Sequence, residues 1–185
     1  FGRLFAHAVG RFSKGKTGLE ATENFHLLTS NNNPVSKILR ELSGEKNIGD
    51  NVITTLDTRL QKAAYDALGD HKGAVVVMEP SSGKILAMVS KPDYDPNNID
   101  EKWEDLVEDS DNNPALINRA TQGLYPPGST FKILTALEYM KENPDYEKYS
   151  YNCSGKGIFN DITINCYNNK AHGEEDLMES FAKSC

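Results

Sequence analysis

The sequence predicts an α+β fold, in which helices pack against an antiparallel sheet. Four patterns that follow one another along the chain predict this class. A helical pattern covers residues 57–68, two strand patterns cover residues 73–79 and 84–90, and a second helical pattern begins near Ser129. The Pro-Ser-Ser-Gly segment at 80–83 is typical of a hairpin turn. A helix, a hairpin and a further helix in this order indicate a sheet that is backed by helices.

The first helix has recognisable ends and an apolar side. Asp57 or Thr58 is expected to cap its N-terminus, because a side-chain oxygen there accepts a hydrogen bond from a free backbone N–H. Gly69 is expected to end the helix. The apolar residues expected on one side are Leu60, Ala63, Ala64, Ala67 and Leu68. The strand at 73–79 is apolar almost throughout, which predicts burial on both of its faces.

The remaining segments of the first two thirds are less regular. We expect a short strand at residues 4–9, a loop at 10–18, an amphipathic helix at 35–42 and an acidic loop at 91–117. The charge run within it, residues 100–111, is expected to form a solvated helix or loop, as charge runs usually do. Trp103, the single tryptophan, is expected to anchor the loop to the body of the protein.

The end of the chain has weaker patterns. The helix that begins near Ser129 is expected to be buried and to end near residue 141. Residues 149–167 are expected to form short strands or loops, and an apolar-spaced helix starts at Leu177. His172 is expected to lie at the start of that helix, because a lone histidine is weak support for a catalytic base.

Composition excludes several classes of function. The 185-residue chain is 38% hydrophobic with a mean hydropathy of −0.56, which is typical of a soluble globular protein. Its net charge of −7 argues against nucleic acid or an anionic membrane as the main partner. The longest apolar run, residues 74–78, is far shorter than the ~20 residues of a membrane span. Because the chain begins with Phe1, we expect it to be a piece of a longer protein.

A Ser-x-x-Lys motif is the strongest chemical signal. Pro126, Pro127 and Gly128 cannot continue a helix backwards, so Ser129 falls at or near a helix N-terminus. Lys132 lies three positions later and shares a helix face with Ser129. A hydroxyl needs a base to become a nucleophile, and a lysine amine with a lowered pKa can be that base. The helix N-terminus also offers N–H groups to a developing oxyanion.

The sequence around this motif resembles a known family. Residues 118–132, Asn-Arg-Ala-Thr-Gln-Gly-Leu-Tyr-Pro-Pro-Gly-Ser-Thr-Phe-Lys, are similar to the active-site approach of class B penicillin-binding proteins. Residues 54–57, 73–76 and 79–80 resemble the opening of their transpeptidase domain, and residues 15–20 resemble an element of their N-terminal pedestal. The resemblance implies a penicillin-binding transpeptidase or serine β-lactamase-like fold with a central antiparallel sheet, incomplete in this chain.

The resemblance also implies a division into two domains. Residues 1–50 are interpreted as the C-terminal piece of the pedestal or linker domain, and residues 51–185 as the N-terminal part of the transpeptidase domain. Ser184 and Cys185 match the first two positions of the family's second motif, Ser-x-Asn. The asparagine of that motif and the third motif, Lys-Thr-Gly on a strand, do not follow. Lys16-Thr17-Gly18 precedes Ser129 and so does not replace it.

By resemblance, the parent protein is a serine D,D-transpeptidase that cross-links peptidoglycan stem peptides ending in D-Ala-D-Ala. Ser129 is then the nucleophile, which β-lactams also acylate, Lys132 its base, and Ser184 a proton relay. No metal or organic cofactor is implied. The implied partners are the stem peptide, β-lactams and other cell-wall synthesis proteins, with no nucleic acid. The implied location is the extracytoplasmic face of the bacterial membrane, with the anchor outside this chain, and we expect residues 1–185 alone to be inactive.

Two other functions stay open at this point. The chain can belong to a non-catalytic penicillin-binding scaffold or sensor of the same fold. Residues 10–17 fit the phosphate-loop pattern G-x-x-x-x-G-K-[ST], which would bind a nucleotide if a strand preceded it and a helix followed it. Gly18, directly after the pattern, weakens the start of that helix.

The cysteines leave a further choice open. Cys153 and Cys166 flank a short polar stretch and can form a disulfide in an extracytoplasmic domain, or remain ordinary thiols. A zinc site made of Cys153, Cys166 and His172 is not favoured, because these residues lack the usual paired spacing.

Overall fold

The structure, a computed structural model, describes residues 2–29, 34–44, 49–108 and 114–185. These residues form two compact units, one that extends to Leu124 and one from Tyr125 to Cys185. The division of the chain at residue 50 into a pedestal piece and a transpeptidase piece stays a prediction. No helix in the described ranges is both long enough and apolar enough to cross a membrane.

The first unit contains short helices around one hairpin. Its α-helices are α1 (Ala6–Val9), α2 (Gly18–Thr22), α3 (Asn24–Leu28), α4 (Pro34–Leu42), α5 (Thr58–Leu68), α6 (Trp103–Glu108) and α7 (Arg119–Gln122). Its 3₁₀ helices are Gly2–Phe5 and Pro96–Asn98, and its strands are β1 (Gly73–Glu79) and β2 (Lys84–Lys91). The predicted helices at 35–42 and 58–68 and the predicted hairpin are therefore confirmed.

The hairpin of β1 and β2 is antiparallel, with Gly73 opposite Lys91 and a bulge between Val77 and Met78. Helix α5 covers one of its faces, and the core of this contact is Ala64, Ala87 and Val89. The prediction that β1 is buried on both faces is wrong in the structure, since Val76 and Met78 are about half exposed. An apolar run does not by itself distinguish a strand with two covered faces from one with a single covered face.

Helix α5 begins and ends where the sequence predicts. The Asp57 carboxylate accepts hydrogen bonds from the backbone N–H groups of Arg59 and Leu60, and Gly69 ends the helix with a φ of 54°. The predicted apolar side is only partly correct. Ala63 and Ala67 are exposed, while the most buried residue of the helix is the polar Gln61.

The segment before residue 10 is helical, so the predicted strand at 4–9 is wrong. Ala6 at the start of α1 packs with Tyr94 and Ile99 in a second small core. The N–H of Gly10 closes α1 on the Ala6 carbonyl at 2.9 Å. A phosphate loop at residues 10–17 needs a preceding strand, which these helical residues do not supply.

The acidic segment contains helix α6, one of the two forms, solvated helix or loop, that the charge run predicted. Glu104 and Asp105 lie in its first turn, where carboxylates interact favourably with the helix dipole. Trp103 and Leu106 pack against the core of Ala6, Tyr94 and Ile99, which confirms the anchoring role predicted for the tryptophan.

The second unit contains two small sheets and two longer helical segments. Its helices are the 3₁₀ helix Gly128–Phe131, α8 (Lys132–Glu142), the 3₁₀ helices Tyr146–Lys148 and Tyr167–Asn169, and α9 (Leu177–Ala182). Its strands are β3 (Tyr151–Cys153), β4 (Lys156–Phe159), β5 (Ile162–Asn165) and β6 (Gly173–Glu175). Strand β3 pairs with β6 and β4 pairs with β5, both antiparallel. The short strands predicted at 149–167 are confirmed.

Two predictions about this unit are wrong. Helix α8 is not buried, because Ile133, Leu134 and Leu137 are each more than half exposed. His172 does not start a helix but lies just before β6. Helix α9 begins at Leu177, as predicted, and Asp176 caps it, since the Asp176 carboxylate accepts the N–H of Glu179 in a reciprocal capping box.

Candidate active site

Ser129 lies in the 3₁₀ turn that leads into α8. Gly128 at the start of this turn has a φ of 56°, a conformation that side chains rarely adopt. The 3₁₀ helix Gly128–Phe131 continues directly into α8 at Lys132. The predicted placement of Ser129 at a helix start is therefore confirmed, and Ser129 is exposed to solvent while Lys132 is half-buried.

Ser184 reaches this turn from the other end of the unit. The Ser184 hydroxyl donates to Ser129 Oγ at 2.9 Å, and Lys132 Nζ donates to Ser184 Oγ at 2.9 Å. Lys132 Nζ also donates to the Ser184 carbonyl oxygen. The three predicted site residues, Ser129, Lys132 and Ser184, are thus joined in one hydrogen-bonded chain, although Ser184 lies 55 positions after Ser129.

The backbone of Ser184 is unusual. It closes α9 with the N–H of Ser184 on the Phe181 carbonyl at 3.1 Å and the N–H of Cys185 on the Ser180 carbonyl at 2.9 Å. This is a Schellman ending, in which the left-handed position is usually glycine. Ser184 occupies it with a φ of 58°, which costs a residue with a side chain about 1 kcal/mol.

A cavity of about 450 Å³ lies beside these side chains, within the second unit. Lys132 and Ser184 form part of its wall, together with Tyr149, Phe159 and Asn165. Cys153, Cys166 and Cys185 line the same cavity, so it borders both the serine–lysine cluster and the three thiols.

The cysteines meet in the same unit. Cys153 and Cys166 are free thiols with sulfurs 3.5 Å apart, and Cys166 Sγ lies 3.7 Å from Cys185 Sγ. The backbone N–H of Gly155 points at Cys153 Sγ and holds the pKa of that thiol well below its usual value. Cys153 Sγ is also 3.5 Å from His172 Nδ1. The sequence argument against a metal site considered three of these residues and missed Cys185, whose distance along the chain gave no signal.

The chain belongs to the family of penicillin-binding protein transpeptidase domains, whose sequence pattern matches residues 73–185. The resemblance to class B penicillin-binding proteins and to their fold is confirmed by these relatives. The chain is 41% identical over 149 residues to the peptidoglycan D,D-transpeptidase PbpA of Mycolicibacterium smegmatis, which covers 72% of this chain and 30% of that protein. It is 39% identical over 127 residues to MrdA of Escherichia coli, covering 66% and 19% respectively.

Solved structures agree with the sequence comparison. Penicillin-binding protein A from M. tuberculosis, in an imipenem acyl-enzyme complex, matches with a TM-score of 0.86 and 31% identity over 100% of this chain and 46% of that one. The Helicobacter pylori protein PBP2, in a complex with MreC, matches with a TM-score of 0.60 and 29% identity over 68% and 24%. The matched region covers 30% of the length of the M. smegmatis relative, so the chain spans about a third of that protein.

Proposed function

We propose that this chain carries the nucleophile of a serine D,D-transpeptidase that cross-links peptidoglycan stem peptides through an acyl-enzyme on Ser129. The hydrogen-bonded chain of Lys132, Ser184 and Ser129 is the observation that carries the proposal. Each serine hydroxyl can both donate and accept, so the same contacts can run in the reverse direction when the lysine amine is neutral. A proton can then leave Ser129 through Ser184 and reach Lys132.

In the proposed reaction, Ser129 Oγ attacks the carbonyl carbon of the penultimate D-Ala. The peptide bond to the terminal D-Ala breaks, and that amine leaves with the proton that Ser129 gave up. An amine from a neighbouring stem then attacks the serine ester, forms the cross-link and returns a proton to Ser129 Oγ. A β-lactam enters by the same first step, because opening its amide bond also acylates Ser129.

The structure favours a modified role for Ser184. The family resemblance implied that Lys132 takes the serine proton and that Ser184 relays a proton towards the leaving amine. In the structure Ser184 lies between the two, bonded to Ser129 Oγ and to Lys132 Nζ. We therefore infer that Ser184 serves both proton transfers, towards Lys132 during attack and towards the amine during departure.

The proposed ligands and location rest on the relatives. M. tuberculosis penicillin-binding protein A forms an acyl-enzyme with imipenem, and H. pylori PBP2 forms a complex with MreC. We infer by similarity that β-lactams acylate this protein and that it works with other cell-wall synthesis proteins. The site of action would be the extracytoplasmic side of the membrane, where peptidoglycan lies.

Intact-mass measurement with a labelled penicillin tests the proposal. Residues 1–185 and a version continued past Cys185 are each compared with Ser129→Ala and with Ser150→Ala, a substitution at an exposed serine of the same unit. We expect one adduct on the continued version, lost in Ser129→Ala and kept in Ser150→Ala. Absence of an adduct from both lengths would show that Ser129 is not an activated nucleophile.

The same samples separate an enzyme from a scaffold. An acylated protein that also joins two stem peptides, measured by mass spectrometry of the cross-linked product, is a transpeptidase. Rapid acylation without any cross-linked product would reject the catalytic function and favour a penicillin-binding sensor.

A further inference from the structure

Four side chains with metal-binding atoms meet within residues 125–185. Cys153 ends β3, Cys166 follows β5, His172 precedes β6 and Cys185 follows α9. Their sulfur and imidazole nitrogen atoms all lie within 4.8 Å of one another, with Cys153 buried and the other three half-buried. The four ligand atoms therefore come from four different elements and surround one point.

The distances between these atoms fit one tetrahedral ion. Cys153 Sγ is 3.5 Å from Cys166 Sγ and 3.5 Å from His172 Nδ1, and Cys166 Sγ is 3.7 Å from Cys185 Sγ. A tetrahedral Zn²⁺ with Zn–S bonds of about 2.3 Å and Zn–N bonds of about 2.0–2.1 Å holds two sulfurs about 3.8 Å apart and a sulfur and a nitrogen about 3.6 Å apart. A disulfide would instead join two sulfurs at about 2.05 Å and leave the third sulfur and the imidazole unused.

The backbone holds the ligands in this arrangement. Cys166 N–H donates to the Gly155 carbonyl at 3.0 Å, and His172 N–H donates to the Cys153 carbonyl at 3.2 Å. Gly155 N–H points at Cys153 Sγ at 3.4 Å, as backbone donors do towards a thiolate. Gly155 has a φ of 89°, and a Cβ there would come within 2.3 Å of the Asn169 carbonyl oxygen, so only glycine fits.

The second unit buries few apolar side chains. Cys153 is the single buried hydrophobic residue among residues 125–185. The apolar side chains of the β4–β5 hairpin, Ile158, Phe159, Ile162 and Ile164, are each more than half exposed.

We propose that Cys153, Cys166, His172 and Cys185 bind one Zn²⁺ ion as three thiolates and one neutral imidazole. Binding takes all three cysteines as thiolates and releases to solvent any thiol proton still present, and a site closed by four protein ligands is structural rather than catalytic. The ion ties the ends of β3, β5 and α9 to the start of β6. Because Cys185 directly follows Ser184, the ion also fixes the turn that carries the Ser184 hydroxyl to Ser129.

Cobalt spectroscopy on the reduced, metal-free chain tests the site directly. We expect one equivalent of Co²⁺ to give a thiolate-to-cobalt charge-transfer band and the visible bands of tetrahedral cobalt, and one equivalent of Zn²⁺ to bleach both. Cys166→Ser and His172→Ala should lose the spectrum. His71→Ala, which removes an exposed histidine from the first unit, should keep it unchanged.

Thiol alkylation of the wild-type chain gives a second readout that needs no variant to fold. One equivalent of Zn²⁺ should slow the alkylation of all three cysteines together, as mapped by peptide mass spectrometry. The proposal is overturned if the wild-type chain gives no tetrahedral thiolate–cobalt spectrum. It is also overturned if Cys153 and Cys166 form a disulfide in the presence of Zn²⁺ and leave the ion in solution.

Discussion

Replacing Gln61 should destabilise the first unit more than replacing any exposed residue of α5. The Gln61 side chain is fully buried, and its amide donates to the carbonyls of Leu4 and Met88 at 2.7 and 2.8 Å. Its carbonyl accepts the Met88 N–H at 2.8 Å. Gln61→Ala removes all three bonds and leaves three backbone groups without these partners. At about 1 kcal/mol for each bond, the loss is about 3 kcal/mol of unfolding free energy.

Urea denaturation followed by the fluorescence of Trp103 measures this loss. Trp103 is the single tryptophan and packs in the first unit, so its signal reports that unit alone. With a slope of about 2 kcal/mol per molar urea, the midpoint should fall by about 1.5 M. Gln122→Ala is the matched control, because its side chain is exposed and accepts one hydrogen bond, from the Asn118 N–H. Equal midpoints for the two variants would refute the reasoning.

Three further predictions concern proton transfer, strain and pH. In the version continued past Cys185, Lys132→Met should slow penicillin acylation by about 10²–10⁴-fold, as loss of a general base does, whereas Lys141→Met on the same helix should not. Equal acylation rates for the two variants would remove Lys132 from the mechanism. Ser184→Gly should raise the unfolding free energy of the second unit by about 1 kcal/mol in urea denaturation, since glycine adopts the left-handed conformation without strain. It should also slow acylation, because glycine lacks the hydroxyl. Ser184→Ala should slow acylation without raising the unfolding free energy. Burial lowers the pKa of His7, so the stability that His7 contributes above about pH 6.5 is lost as the pH falls through the lowered value. The decline in urea midpoint between pH 7 and 5 should shrink in His7→Asn and persist in the exposed-site control His71→Ala.

Features that depend only on residues close together in the sequence were predicted correctly. The cap at Asp57, the stop at Gly69 and the hairpin around residues 80–83 follow from local hydrogen bonding and backbone conformation, and the structure has each of them. Pro126, Pro127 and Gly128, which cannot continue a helix backwards, likewise placed Ser129 at the start of a helix. The resemblance of residues 118–132 to penicillin-binding proteins added the family, which the comparisons confirm.

Predictions of which surfaces are buried by packing against other segments were less successful. The sequence predicted burial for β1 and for α8, and the structure leaves both partly exposed. It read residues 4–9 as a strand, whereas Ala6 packs in a helix against Tyr94, about ninety positions away. Local pattern carries no information about which surface another segment will cover, so exposure is decided only when the chain has folded.

The sequence alone determined which residue types could do chemistry, and the tertiary structure decided which of them meet. Ser129 and Lys132 are neighbours through helix geometry, but Ser184 joins them only because α9 ends in a left-handed turn beside them. Cys153, Cys166, His172 and Cys185 looked like unrelated residues, since their spacing matches no paired motif. They converge because the pairing of β3 with β6 and the end of α9 close loops of unequal length on one point, and such closure cannot be read from local sequence.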